Sequence, residues 1–455
     1  MHKNNILFFF SLVVLFCPQW PINIVAQDSS QPFPLGVWAT GEQIDYQPFF
    51  NSLDSSGFNT LLISVSPTNQ TLLEPYKVIT QNGESPDEAV YHYSNGMYTK
   101  WEGENLQENT LRTGILHTFG SKAFYDGDSC WTTGNNAPPR DSLIYGPHYR
   151  QDKNYRLIYW ENTPNERINF TVNYSLALAD PSLNPQDDVC EIKVVFCYID
   201  AQEERQCTTL AADTIKVGEF SGNSFQPFDL VYSYPPEFIN PVLGPEGDSY
   251  ETGFFSFDDT QHNTGIEFQL DWLGTGTLYV DYVEVYDNII WRTWITDPSS
   301  VVSEISTFLY TYSGSEWDDI IQYWFGRDEP QSIDYYEPMR IVDSLIRTMP
   351  GGRPLMTQFY PQWRGTMNGD LHLQKFVELT KPKQLMIDRY PFIVGYSAEW
   401  GLTELRKSFQ DADSAQAGFW YVAQAFSQRN RKRELIDLMF SQIKPNFNKK
   451  LLLTP

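Results

Sequence analysis

Tyr323-Trp324-Phe325-Gly326-Arg327-Asp328-Glu329-Pro330 is the stretch on which the reading of the fold turns. It reads as an apolar strand, Ile320 to Gly326, that runs out into two adjacent carboxylates and stops at Pro330, a residue with no amide proton to give a ladder. A helical period precedes it over Val301 to Thr311 and another follows over Ser332 to Arg347. Further on come a strand from Leu355 to Tyr360, a helix from His372 to Leu379 and a strand from Gln384 to Tyr390. A helix from Leu402 to Phe409, a strand from Phe419 to Ala425, a helix near Arg433 to Phe440 and the run Leu451 to Thr454 complete the alternation.

Upstream, from Pro34, the same rhythm opens with Leu35 to Ala39, a short helix through Leu53, Asn59 to Val65 after Gly57, and the apolar run Tyr76 to Ile79. Eight strands with alternating helices predict an α/β fold, a (β/α)8 TIM-type barrel truncated before its last helix. If Tyr76 to Ile79 or the C-terminal run is not a strand, a doubly wound sheet absorbs the pattern instead. Between about Glu84 and Asp287 the writing changes to short alternating runs such as Ile192 to Tyr198, Ile266 to Leu270 and Leu278 to Val285, parted by Gly, Pro, Asn and Asp clusters. That is an inserted all-β jelly-roll or sandwich domain. It falls between the third strand and its helix, so it is expected beside the C-terminal face of the barrel. The expected division is 1–26 leader, 27–90 first part of the barrel, 91–290 insert and 291–455 second part of the barrel.

Lys3 followed by the apolar run Ile6 to Phe16 fits a signal peptide, cut after Ile24-Val25-Ala26, and predicts a secreted or extracytoplasmic protein. Phe16 before Cys17 makes a poor lipidation box, and no later run approaches the length of a membrane span. A net charge of −25 repels phosphate backbones, which excludes nucleic acid as a partner. Aromatic residues at 15%, with 13 Trp and 27 Tyr, suit stacking on sugar rings and equally suit a large β core. Of five cysteines, Cys17 leaves with the leader; Cys197 and Cys207 flank a polar turn symmetrically and predict a cross-strand disulfide, while Cys130 and Cys190 carry no such argument.

Asp328-Glu329-Pro330 resembles the strand-four signature of barrel glycosidases, in particular the β-N-acetylgalactosaminidase type. The resemblance implies a glycoside hydrolase acting on a polysaccharide or glycan by substrate assistance. Asp328 would orient the 2-acetamido group and Glu329 would be general acid and base. The strand-seven Glu of retaining barrels is missing, since that strand reads Phe419-Trp420-Tyr421-Val422-Ala423-Gln424. Asp388 is the other candidate carboxylate, open between a catalytic role converging on Glu329 and a structural pair with Arg389. Gln358, Tyr360, Trp363, Tyr390 and Gln424, at or beyond strand ends, are candidate substrate-binding residues. Tyr98 to Glu104 and Leu278 to Val285 are similar to the first and last strands of calcium-binding jelly-roll carbohydrate-binding modules. That resemblance implies a structural Ca²⁺ held by Glu102, Glu104 and Asp281, against the reading of solvated charges on edge strands. The rival in another class is a non-catalytic carbohydrate-binding or surface protein on a degenerate barrel.

Overall fold

A computed structural model of the chain describes residues 11–16, 35–38, 50–51, 53–54, 58–80, 88–105, 117–118, 121–133, 142–148, 169–180, 182–199, 204–233, 265–328, 335–359, 372–388, 397–414 and 419–423. In chain order the strands begin with β1 (Ser11–Phe16), β2 (Leu35–Trp38), β3 (Thr60–Ile63) and β4 (Lys77–Thr80). Then come β5 (Tyr98–Glu102), β6 (His117–Thr118), β7 (Ser121–Tyr125), β8 (Asp128–Thr132), β9 (Ser142–His148) and β10 (Asn169–Leu178). They continue with β11 (Asp188–Ile199), β12 (Arg205–Lys216), β13 (Gln226–Ser233), β14 (Gly265–Trp272) and β15 (Leu278–Asp287). The last four are β16 (Ile321–Asp328), β17 (Leu355–Phe359), β18 (Leu385–Asp388) and β19 (Phe419–Ala423). The helices are α1 (Gln70–Leu73), α2 (Ala89–Ser94), α3 (Trp291–Thr296), α4 (Pro298–Tyr310), α5 (Ser315–Asp318), α6 (Tyr336–Ile346), α7 (His372–Thr380) and α8 (Ala398–Ser414).

Nineteen strands against eight mostly short helices make the described residues predominantly β, and this overturns the expected α/β class. The (β/α)8 TIM-type barrel is not formed. The ring of order β1-β19-β18-β17-β16-β4-β3-β2 holds seven parallel strands, β2 to β4 and β16 to β19. It closes through β1, which is antiparallel to both of its neighbours. The physical reason lies in the eighth position. The apolar run assigned to the leader fills it, and its ladders to Leu35–Trp38 and Phe419–Ala423 are antiparallel, where a (β/α)8 barrel needs a parallel strand. The runs Arg433 to Phe440 and Leu451 to Thr454, counted as the last helix and strand, lie outside the described residues.

Alternation sorts the ring's side chains into two layers. Leu62, Ile79, Phe325, Met356 and Met386 form the inner cluster, all buried. Leu61, Val78, Trp324, Leu355 and Ile387 face outward and pack on Val301, Ile305, Val342, Ile346 and Phe376 of the helices. Asp297, with its side chain accepting from the Ser300 amide, starts α4 ahead of Pro298 at a position where proline loses nothing.

The remaining strands form two sheets packed face to face, β13-β10-β15-β8-β7 with β5 also on β15, and β12-β11-β14-β9-β6. Their shared core holds Trp101, Trp131, Tyr145, Tyr174, Phe196 and Phe268, drawn from alternate positions of each strand. Cys197 and Cys207 oppose one another across β11 and β12 and are disulfide-bonded, as their symmetry about the turn predicts. Cys130 and Cys190 are buried free thiols; burial pushes the Cys130 thiol up to about 11 and raises Cys190 as well.

The two sheets hang from the ring by adjacent strands. β5 enters and β15 leaves, paired antiparallel from Tyr98↔Tyr286 to Glu102↔Tyr282. Asp287 ties the stem: its Oδ2 accepts from the Met97 amide at 2.7 Å, and its Oδ1 accepts from the Ile290 amide at 2.6 Å and the Trp291 amide at 3.3 Å. Tyr98 stacks on Trp291 at 4.9 Å, Trp291 stacks on Trp294 at 4.8 Å, and the Trp291 indole donates to the Tyr93 carbonyl.

Candidate functional site

The strand that opened the sequence reading ends in an irregularity. Phe325 pairs with Met356 and Asp328 with Gln358, so three steps along β16 match two along β17 and the register shifts at Gly326-Arg327. Such a bulge turns the strand end and changes which residues share a face. Here it puts Asp328 at the register position of Gln358, two residues beyond the inner Met356. Asp388 lies one strand further on, two residues past Met386, the partner of Gln358 on β18. Asp328 and Asp388 therefore end β16 and β18, and Gln358, one residue before the end of β17, lies on the strand between them. Adjacent strands are ~4.8 Å apart, which sets β16 and β18 about 10 Å from each other.

Arg327 is pulled out of that set. It is 3% exposed, its guanidinium lies 3.3 Å from the centre of the Tyr335 ring, and its Nη1 donates to Asn95 Oδ1 and to the Asn95 carbonyl. Its role is structural, against the end of α2. Gln358 is 2% exposed within the ring. Glu329, Tyr360, Trp363, Tyr390 and Gln424 lie outside the described residues.

In the sheets, Glu102 ends β5 opposite Tyr282, and Glu104 follows it across Gly103. Gly103 has no room for a side chain, since a Cβ there would sit 2.2 Å from the Val280 carbonyl and 2.9 Å from that of Asp281. Glu102 pairs with Lys100 at 2.8 Å, and Lys100 lies 4.0 Å from the Tyr282 ring centre. Burial raises the Asp281 carboxyl, Lys100 opposes that shift, and Glu102 and Asp128 add to it. Glu104 Oε2 and Tyr145 Oη are buried without hydrogen-bond partners close by. Among the described residues, however, no three His, Cys, Asp or Glu side chains gather at metal-ligating distance.

The sequence reading missed an aromatic group at one edge of the sheets. Tyr125 and Tyr279 lie parallel, 4.0 Å apart and 7° from coplanar, and Phe225 meets Tyr125 edge-on at 6.0 Å. Beside them Phe124 is 72% exposed. The hairpin between β7 and β8 presents them through a two-residue turn, Asp126 at φ 49° and Gly127 at φ 89°, the pair of left-handed conformations that a type I′ turn requires. Asp126-Gly127 was the available signal, an Asp-Gly pair between short strands. On the outer face of the other sheet, Lys193 on β11 bridges Asp271 at 2.7 Å and Glu191 at 3.2 Å. Burial works to lower the Lys193 ammonium, but its hydrogen bonds to Asp271 and Glu191 outweigh that and raise it.

Searches of protein-family profiles and of curated proteins find no match. Among solved structures, the C-terminal CBM6 of a marine laminarinase from Zobellia galactanivorans is similar over 42% of this chain and 99% of its own, at 12% identity and TM-score 0.21. The CBM22-1–GH10 modules of a Clostridium thermocellum xylanase, complexed with xylohexaose, are similar over 72% of this chain and 55% of theirs, at 7% identity and TM-score 0.23. A Podospora anserina GH26-CBM35 β-(1,4)-mannanase is similar over 71% of this chain and 64% of its own, at 9% identity and TM-score 0.19. At such scores these likenesses carry no argument for the chain's function, which rests on its own residues.

Proposed function

We propose that this is an extracytoplasmic carbohydrate-binding protein whose sheets, with the aromatic group around Tyr125 and Tyr279, bind a neutral polysaccharide or glycan. The observation that carries the reading is Phe124, a large apolar ring left 72% exposed on a tight hairpin beside the stacked tyrosines. Phe124 is the exposed ring, while Tyr125, Tyr279 and Phe225 are half-buried, so the hairpin offers one free apolar ring with tyrosine hydroxyls nearby. Sugar rings offer flat apolar faces to stack on and hydroxyls to pair with. The net charge of −25 argues against polyanionic glycans and nucleic acid, and favours neutral chains. No helix among the described residues is long and apolar enough to cross a membrane. Secretion through cleavage near Ala26, which would remove β1 and leave the ring open between β2 and β19, and the division at 27–90, 91–290 and 291–455, belong to the same proposal. Isothermal titration against soluble β-glucan, xylan, mannan and N-acetylhexosamine polymers tests it. Binding to at least one of them, weakened in Phe124→Ala and Tyr125→Ala, is expected; wild-type binding that both variants retain undiluted would remove the site.

A structural Ca²⁺ fits the donor chemistry around Glu104, where hard oxygens and a buried unpartnered Oε2 call for a cation or a proton. Glu104 would be its first donor; Glu102 and Asp281 do not stand at ligating distance together with it and would have to close on the ion.

A second reading is favoured by one observation, the gathering of Asp328, Gln358 and Asp388 on neighbouring strands. In it the ring end is a glycosidase site with Glu329 as general acid. Turnover of chromogenic N-acetylhexosaminides, lost in Asp328→Asn and Glu329→Gln, supports it. A wild-type protein that binds glycan but turns over none of them leaves the binding reading alone.

A further inference from the structure

The bulge that sets Asp328 beside Gln358 is held from outside the ring. Gly326, inside the bulge, has its carbonyl taken by Asn95 Nδ2 at 2.9 Å and approached by Ser94 Oγ at 3.4 Å. In return Arg327 Nη1 donates to the Asn95 carbonyl at 3.1 Å and to Asn95 Oδ1 at 3.2 Å. One amide side chain therefore accepts from one bulge residue and donates to the other, while its Nδ2 also reaches the Tyr91 carbonyl at 2.7 Å. Both Asn95 and Arg327 are buried, at 7% and 3% exposure, so none of these bonds competes freely with water.

Asn95 is also where the chain leaves α2 for the sheets. Gly96 follows it under Trp291, close enough that a Cβ would meet the indole at 1.9 Å, and Met97 is bonded to Asp287 at the far end of β15. The ladder alone would be better satisfied without the extra residue at Gly326-Arg327.

We propose that Asn95 is a positioning residue for Asp328: by clamping Gly326 and Arg327 from the stem of the inserted sheets, it fixes the bulge that places Asp328 in register with Gln358. The stem thereby sets the geometry of the ring's acidic end, and a load on the sheets reaches Asp328 through three residues, Asn95, Gly96 and Met97. The positioning stands by itself; only its consequence for a ligand rests on the glycosidase reading of the ring end.

The test uses the full chain and needs no ligand. In Asn95→Ala, amide hydrogen exchange at Arg327 and Asp328 should rise by more than about threefold while the amides of Met356 and Thr357 on the next strand keep their protection. Asn95→Asp keeps the acceptor for Arg327 and loses the donor to Gly326, so its rise should be smaller. The side-chain carboxyl ¹³C titration of Asp328 should move in the alanine variant, which a purely structural contact elsewhere would not cause. Exchange at Arg327 and Asp328 within threefold of wild type in Asn95→Ala overturns the proposal; if that variant does not fold, a rise in Asn95→Asp confined to Arg327 and Asp328 supports it and no rise there overturns it. Absence of any turnover by the wild-type protein would sink the glycosidase reading and leave the exchange comparison intact.

Discussion

Gly103 and Phe124 show how single positions constrain the two ends of the sheets. A methyl group at Gly103 meets the Val280 carbonyl at 2.2 Å and the Trp131 amide at 2.9 Å, both backbone atoms that cannot swing aside. Gly103→Ala should therefore cost about 1–3 kcal/mol, the usual penalty of overpacking, measured by urea denaturation. Phe124 is the opposite case. It has so little contact with the protein that Phe124→Ala should leave the unfolding free energy within ~0.5 kcal/mol of wild type. Its glycan affinity should drop by about tenfold, or ~1.4 kcal/mol, if the ring stacks on a sugar. Stability and binding thus separate at this residue, and titration beside a melting curve reads both.

At the scale of elements, the β11–β12 hairpin and the β5–β15 pair respond to chemistry. The Cys197–Cys207 bridge closes a segment of sequence separation 10, and its loss should cost up to ~3 kcal/mol by the loop-entropy relation. Comparing Cys197→Ser/Cys207→Ser with the oxidised protein by thermal melting checks this. On β15, burial raises the carboxyls of Asp281 and Glu284, with the Tyr98 hydroxyl pulling Glu284 back toward its usual range. A carboxyl raised in the folded state binds its proton more tightly folded than unfolded. Its effect on stability is thus most favourable below the unfolded value, near 3.8 for Asp and 4.5 for Glu, and worsens as pH rises through the folded value. In chelator, the melting temperature should rise as pH is lowered through the folded values of these two carboxyls toward their unfolded ones. Ca²⁺ should raise it more at neutral pH than at pH ~5, because the ion needs the ionised carboxylates. A melting temperature indifferent to both chelator and Ca²⁺ would remove the ion from the account.

Across the whole molecule, the joint between ring and sheets is an aromatic column, Tyr98 on Trp291 on Trp294, backed by Asp287. Trp291 is wholly buried, and truncating it to alanine should cost about 3–5 kcal/mol. Because that loss falls on the joint and not within either core, calorimetry should resolve one transition in the wild type into two in Trp291→Ala. A single, merely shifted transition would show that the cores are coupled elsewhere.

Much of this was legible in the sequence, and particular residues show where legibility stopped. Period alone placed β16, β17, β18 and β19 and the helices between them within a few residues, because burial on one face or two repeats at fixed intervals. The same rule marked the switch to paired antiparallel strands, and the spacing about one turn paired Cys197 with Cys207. Ring closure was not legible. Ser11–Phe16 is apolar enough for a leader and for a strand, and only tertiary pairing with Leu35–Trp38 and Phe419–Ala423 decided its place and direction. Nor could the sequence show that Arg327 is buried against Asn95, a partner 232 residues earlier. Local pattern reports what each segment must bury; which segments meet is set by chain closure and by polar groups that must find partners, and both act across the whole fold.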